Sequence, residues 1–199
     1  MEKLFENWRD FAGPEKPLVV AYFGGFKPPH KGHFEVLQGY LAMPEVEKVY
    51  ILFGSSTRSS DDGTVVVDDK VSVRVWNLFL SALPDSSKVE LIHGFSGNPM
   101  TRAAELAWDE RLADKRLTAG YSAKEPQYGS IFLRVVKSVE KTVGPPIAEP
   151  VAVSSMSFTK GVSSTNIRNA ISQGDMETIR NSIPNGISVE KYVDIIGKT

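Results

Sequence analysis

Residues 24 to 33 read GGFKPPHKGH. The chain holds three histidines, and two of them, His30 and His33, fall three positions apart inside this glycine- and proline-rich stretch. Paired imidazoles offer hydrogen-bond donors, and the neighbouring glycines let a ligand approach the backbone closely. A metal half-site built on the pair would need further His or carboxylate ligands, and His93 is the only other histidine. The position of the stretch points to an anion instead. It follows PLVVAYF, a short unbroken β-branched run that reads as a buried strand. It precedes HFEVLQGYLA, in which Phe34, Leu37 and Leu41 keep helical spacing. The ten residues are therefore expected to form a strand-to-helix turn. At the carboxyl end of a strand in an open parallel sheet, such a turn is where ligands bind, and the following helix directs unpaired N–H groups at them. Phosphate is the expected ligand.

The elements that must hold this turn alternate along the chain. VEKVYILFG is a second strand, followed by the polar loop SSTRSSDDG and the helical VSVRVWNLFLSAL. KVELIHGF is a third strand. NPMTRAAELAWDERLA is a helix with Asn98 as N-cap and Pro99 at its first position. KRLTAGYS is a fourth strand, SIFLRVVKSVEKTV a helix, and PVAVSSMSF a fifth strand. Strand–helix alternation argues for a parallel sheet with right-handed crossovers and helices on both faces. Trp76 and Trp108 lie among helically spaced apolar residues and read as core. Residues 163 to 196 are helical by period, with breaks at Gly174 and at PNG, and form a small C-terminal helical cap. Residues 1 to 13 place Leu4, Phe5, Trp8 and Phe11 on one face of an amphipathic helix, leaving 14 to 199 as one domain.

Composition narrows the partners. A length of 199 residues and 41% hydrophobic content suit a domain with a sizeable core. With 23 basic against 24 acidic residues, the balance gives no general argument for nucleic acid, so any phosphate is bound locally. The absence of cysteine removes disulfides, thiolate nucleophiles and Cys-based zinc sites. No apolar stretch approaches a membrane span and no secretory leader pattern is present, so the expectation is a cytoplasmic protein without membrane contact.

A second stretch, GVSSTNIR, lies after the fifth strand and enters a helix. The first turn resembles the G-x-F-x-P-x-H-x-G-H signature of the nucleotidylyltransferase superfamily, with Gly24, Phe26, Pro28, His30, Gly32 and His33 in the fixed places. The second stretch resembles the superfamily's I-S-S/T-T-x-I/V-R signature, with Ser163, Ser164, Thr165 and Arg168 in register and Val162 for Ile. The continuation AISQGDMETIRNSIPNGI is similar to the tail of phosphopantetheine adenylyltransferases.

The resemblance implies a Rossmann-like α/β fold: a doubly wound five-stranded parallel sheet in the order 3-2-1-4-5, with the site at the switch between strands one and four. It implies transfer of a nucleoside monophosphate to a phosphorylated small-molecule acceptor, with release of pyrophosphate. PPHKGH is closer to the adenylyltransferases, including those acting on nicotinamide mononucleotide, than to cytidylyltransferases, so ATP is the expected donor. CTP as donor, or a nucleotide-binding regulator without chemistry, are the alternatives. The implied catalytic residues are His30, His33 and Arg168, the last clamping β/γ phosphates with its fork. Gly24, Gly25, Phe26, Gly32, Ser163, Ser164 and Thr165 are the implied nucleotide contacts. Mg²⁺ would be held mainly by the triphosphate, with no all-protein metal site. Gly25 and Lys27 depart from the common pattern, which often has Thr, Ser or Arg and then Asp there. Lys27 would bring a charge to acceptor or triphosphate, or point to water. Arg58 in the loop after strand two and Lys124 after strand four are further phosphate or acceptor candidates. Homo-oligomerisation is left open.

Overall fold

The computed structural model describes residues 16–152, 155–156 and 161–197, so the expected helix over 1 to 13 lies outside the described residues. β1 (Leu18–Phe23) is apolar at every position and buried throughout. Because strand side chains alternate, Leu18, Val20 and Tyr22 enter one core while Val19, Ala21 and Phe23 enter another on the opposite face. A strand buried on both faces belongs at the centre of a parallel sheet. It pairs in parallel with β2 (Val46–Phe53) on one side and β6 (Arg116–Gly120) on the other. β5 (Val89–His93) flanks β2, and β7 (Glu149–Pro150) flanks β6. The order β5-β2-β1-β6-β7 is the expected 3-2-1-4-5 arrangement of a doubly wound Rossmann-like sheet.

Seven α-helices are present among the described residues. On the first face, the core gathers α1 (Lys31–Leu41), α2 (Asp69–Leu80) and the C-terminal helices α5 (Ser164–Gln173), α6 (Met176–Ser182) and α7 (Val189–Gly197). On the second it gathers α3 (Pro99–Glu105) and α4 (Tyr128–Val143). Sequence signals set the ends. Asp68 caps α2 by accepting from the Val71 N–H at 2.8 Å, and Asn98 caps α3 by accepting from Met100 at 2.9 Å. Trp76 is fully buried in the first core, as its spacing implies.

Three details differ from the sequence reading. The helix expected from residue 98 to 113 is α only to Glu105, then two short 3₁₀ turns. Asp109 separates them in an extended conformation, its carboxylate accepting from Arg111 N–H at 2.9 Å. The polar loop after β2 contains an antiparallel pair, β3 (Arg58–Ser59) with β4 (Val66–Val67). The fifth strand is two residues long among those described, followed by an isolated bridge between Ser122 and Met156. Pro150 lacks the N–H that would continue the ladder, which suits a short edge strand.

β6 packs tightly against β1 beside the histidine turn. A Cβ added at Gly120, the last residue of β6, would lie 2.9 Å from Tyr22 Cα and 2.9 Å from Val20 Cγ1. Backbone cannot yield as a side-chain tip does, so Gly120→Ala is expected to destabilise the protein by about 1–3 kcal/mol. Urea unfolding of the variant checks this; an unchanged midpoint would mean that β1 and β6 part more easily than their packing indicates.

Candidate active site

The turn after β1 is built from the inside out. Phe26 adopts a left-handed backbone with φ of 46°, a strained choice for a bulky residue, and its ring is 2% exposed. Edge-to-face contacts hold that ring against Tyr22 at 5.0 Å, Trp76 at 5.3 Å and His33 at 4.9 Å between centroids. Aromatic packing of this kind offsets the backbone strain and sets the path of the next four residues.

Each carbonyl along that path is then held by a side chain from elsewhere. Phe26 O accepts from Ser72 Oγ of α2 at 2.8 Å. Lys27 O accepts from Arg168 Nη1 of α5, and Pro28 O from Ser164 Oγ of α5 at 2.9 Å. Pro29 O accepts from the hydroxyl of Tyr192 on α7 at 2.8 Å. The turn ends at His30, the N-cap of α1, whose own carbonyl accepts from Phe34 N–H at 3.1 Å.

His30 and His33 stack with ring centroids 3.6 Å apart and planes 20° from parallel. His33 Nδ1 accepts from the His30 backbone N–H at 3.2 Å, so in the neutral ring the proton resides on Nε2, which is left to donate. Both rings face a cavity of about 310 Å³ at the carboxyl end of β1. Gly24, Gly25, Phe26 and Gly32 line it from the turn. Ser163 and Ser164 at the start of α5 line it from across the sheet, and Lys124 from the loop after β6. Ser163 caps α5, its Oγ accepting from Asn166 N–H at 3.2 Å.

A second cavity of about 620 Å³ lies over the ends of β2 and β5, lined in part by Ser55, Ser56, Arg58, Phe95 and Asn98. The two cavities share Phe23, Gly24, Gly25 and Tyr128. They therefore meet over the glycine pair. A Cβ at Gly25 would find no atom within 4 Å, so the missing side chain leaves the junction open.

Two solved structures share this fold over nearly their whole length. One is a Vibrio parahaemolyticus protein assigned as a nicotinate-nucleotide adenylyltransferase: TM-score 0.55, 14% identity, covering 92% of this chain and 97% of that one. The other is the Plasmodium falciparum nicotinic acid mononucleotide adenylyltransferase complexed with APC: TM-score 0.50, 11% identity, covering 89% of this chain and 95% of that one. The likeness is one of fold: this chain has the α/β Rossmann-like fold of those two structures. No protein-family model matches the sequence, and no curated protein matches it either.

Within this fold, three expected site residues stand behind the cavities rather than in them. Arg168 is 6% exposed and lines neither cavity. Its guanidinium donates to Ser59 O at 2.7 Å, to Lys27 O and to Thr165 Oγ1 at 3.1 Å. In this geometry the guanidinium is a clasp joining α5, β3 and the histidine turn. Thr165 serves the same clasp. Lys27, 3% exposed, points neither to water nor into a cavity: its ammonium donates to Gly54 O at 3.0 Å and lies 5.8 Å from the Phe53 ring centroid. Burial lowers its pKa, opposed by Asp69 and Asp68. The reason is spatial, since the turn folds back over the end of β2, and that is invisible in sequence.

Charge at the histidines is also less positive than two imidazoles suggest. Burial, then the charge of Lys124, lowers His30 to about 4 from an ordinary 6.5. Desolvation, then His30, drives His33 well below the usual imidazole range. Both rings are neutral near pH 7. The unfolded chain protonates His30 near 6.5 and the folded chain near 4, so the unfolded state binds more protons between those values. Stability is then full above the upper value and falls as pH drops toward the lower, by on the order of 3 kcal/mol for His30. Thermal unfolding from about pH 7.5 to about 4.5 should show this fall, and His30→Gln should lessen it, leaving the part that His33 contributes. Equal slopes in both proteins would remove the assignment.

Tyr121, Glu125 and Tyr128 also line the first cavity, and Phe95 the second, none of them singled out by type or spacing. The loop after the fourth strand was the only signal near the first three. Among the described residues, no group of three or more His, Asp or Glu side chains could hold a metal ion. No helix among them is long and apolar enough to cross a membrane.

Proposed function

We propose that this protein is a member of the nucleotidylyltransferase superfamily. It transfers a nucleoside monophosphate, AMP from ATP, to a phosphorylated small-molecule acceptor and releases pyrophosphate. The observation that carries the reading is the pair of cavities meeting over Gly24 and Gly25, with two neutral imidazoles in one and Arg58 in the other. Such a pair allows a triphosphate and a phosphorylated acceptor to lie side by side. Both solved neighbours bear adenylyltransferase names, and the PPHKGH turn favours the same donor.

In the reaction, an oxygen of the acceptor phosphate attacks the α-phosphorus, the bond from that phosphorus to the bridging oxygen breaks, and its electron pair leaves with pyrophosphate. No covalent enzyme intermediate is required, so catalysis rests on positioning and on donors to the oxygens that gain charge. His33 Nε2–H is one such donor. His30 Nδ1 is buried without a hydrogen-bond partner among the described residues, an imbalance that suits a ligand site. Lys124 and the N–H groups opening α5 add positive potential to the same cavity. Glu125 is the one carboxylate lining it, which fits an Mg²⁺ ion held mainly by phosphate oxygens. Bound Mg²⁺ would neutralise charge on the leaving pyrophosphate.

Phosphate release from product pyrophosphate, coupled through a pyrophosphatase, tests the reading with Mg²⁺, ATP or CTP, and a panel including nicotinamide mononucleotide, phosphopantetheine, flavin mononucleotide and sugar or polyol phosphates. Release that requires ATP and one acceptor is expected. Turnover with CTP alone identifies a cytidylyltransferase, and ATP binding without release across the panel leaves an acceptor outside the panel or a regulator.

A further inference from the structure

Tyr192 stands apart from both signature stretches, 163 residues from the carbonyl that it holds. Its ring is fully buried and stacks on Phe79 of α2, with centroids 5.9 Å apart and planes 7° from parallel. Packing alone would be satisfied by phenylalanine. The hydroxyl does something more specific, because its acceptor, Pro29 O, belongs to the same peptide group as the His30 N–H. That group is planar, so its oxygen and its N–H cannot turn independently. The oxygen is fixed by Tyr192 at 2.8 Å, and the N–H is fixed on His33 Nδ1 at 3.2 Å. Hydrogen bonds in series also polarise one another: a donor on the carbonyl oxygen makes the N–H of the same amide a better donor.

We propose that Tyr192 is a positioning residue for His33: through the Pro29–His30 peptide its hydroxyl holds the His33 ring in the tautomer that presents Nε2–H to the first cavity. The C-terminal helical cap is then part of the catalytic unit rather than a lid on the core. Tyr192 is well suited to this, since burial raises its pKa far above the ordinary 10.0 and keeps it a donor. Nothing in the local sequence around residue 192 announces the role.

Three histidines make the test tractable, because long-range ¹⁵N–¹H spectra of the full chain resolve each ring's tautomer. Tyr192→Phe keeps the ring and removes the donor. It is expected to move His33 from a single Nε2–H tautomer to a mixture. It should also lower kcat about tenfold, roughly one neutral hydrogen bond, while KM for ATP stays within about twofold. Trp108→Phe is the control: it removes the 3.0 Å bond from Nε1 to Gly144 O on the other face and should change neither readout. Unchanged His33 resonances in folded Tyr192→Phe would overturn the proposal. If that variant fails to fold, 3-fluorotyrosine at position 192 retains the hydroxyl as a stronger donor. It should shift the His33 Nδ1 resonance, and no shift would again overturn the proposal. Only the kinetic arm rests on the nucleotidyl-transfer reading: a wild-type protein silent with every donor and acceptor refutes that reading, while the tautomer measurement still decides the role of Tyr192.

Discussion

Replacing His33 by alanine is expected to lower the rate of pyrophosphate release by roughly 10²–10³, the usual loss when one donor to developing charge is removed. The effect should fall on kcat more than on KM, because a neutral donor gains most where the phosphate oxygens gain charge. His33 also accepts from the His30 N–H and packs against Phe26, so part of the loss comes from a loosened turn. His33→Gln separates the two contributions. It retains an N–H donor and a carbonyl acceptor, and should recover part of the rate if donation matters. Steady-state kinetics and thermal melting of both variants are the measurements. A rate near that of the wild type in His33→Ala would refute the role.

Arg168→Ala is expected to lower turnover at least tenfold by loosening the histidine turn that it clasps, together with about 3 kcal/mol of stability. Three acceptors depend on this one side chain, and Lys27 O lies in a buried turn. Desolvation already lowers the pKa of the guanidinium, followed by repulsion from Arg58 and against the pull of Asp61, so its charge is held at some cost. Charge alone is therefore not its contribution. Lysine offers a single ammonium on a flexible stem and cannot span Ser59 O, Lys27 O and Thr165 Oγ1 together, so Arg168→Lys should not rescue. Full activity in Arg168→Lys would point back to a simple charge acting on phosphate. Normal turnover and melting in Arg168→Ala would refute the clasp as well.

The clasp also explains why the polar loop after β2 carries structure. Asn169, next to Arg168, donates to Asp61 Oδ2 at 2.6 Å and accepts from Asp61 N–H at 2.9 Å. The β3–β4 hairpin is thereby tied to α5 by two adjacent residues. Arg58, carried on that hairpin, reaches the second cavity. The two signature stretches are thus joined to the second cavity through one set of hydrogen bonds.

The central sheet, most helix positions and the two stretches that meet at the site are legible in the residues alone. These are local matters. A β-branched run with glycine and proline after it states a buried strand and a turn, and Asn98 before Pro99 states where a helix begins. Even the strand order followed, once the alternation and the signatures were taken together. What the tertiary structure alone decided is which side chain serves which backbone group. Ser72, Arg168, Ser164 and Tyr192 hold four consecutive carbonyls from 46, 141, 136 and 163 residues away. Hydrogen-bond partners at such separations follow no period, and a tyrosine among apolar residues reads as core whether or not its hydroxyl has work to do. The protonation of the histidines is tertiary for the same reason. Desolvation and the distance to Lys124 exist only after the chain has folded, so His30 and His33 read as a pair of donors in sequence and are neutral rings in the structure.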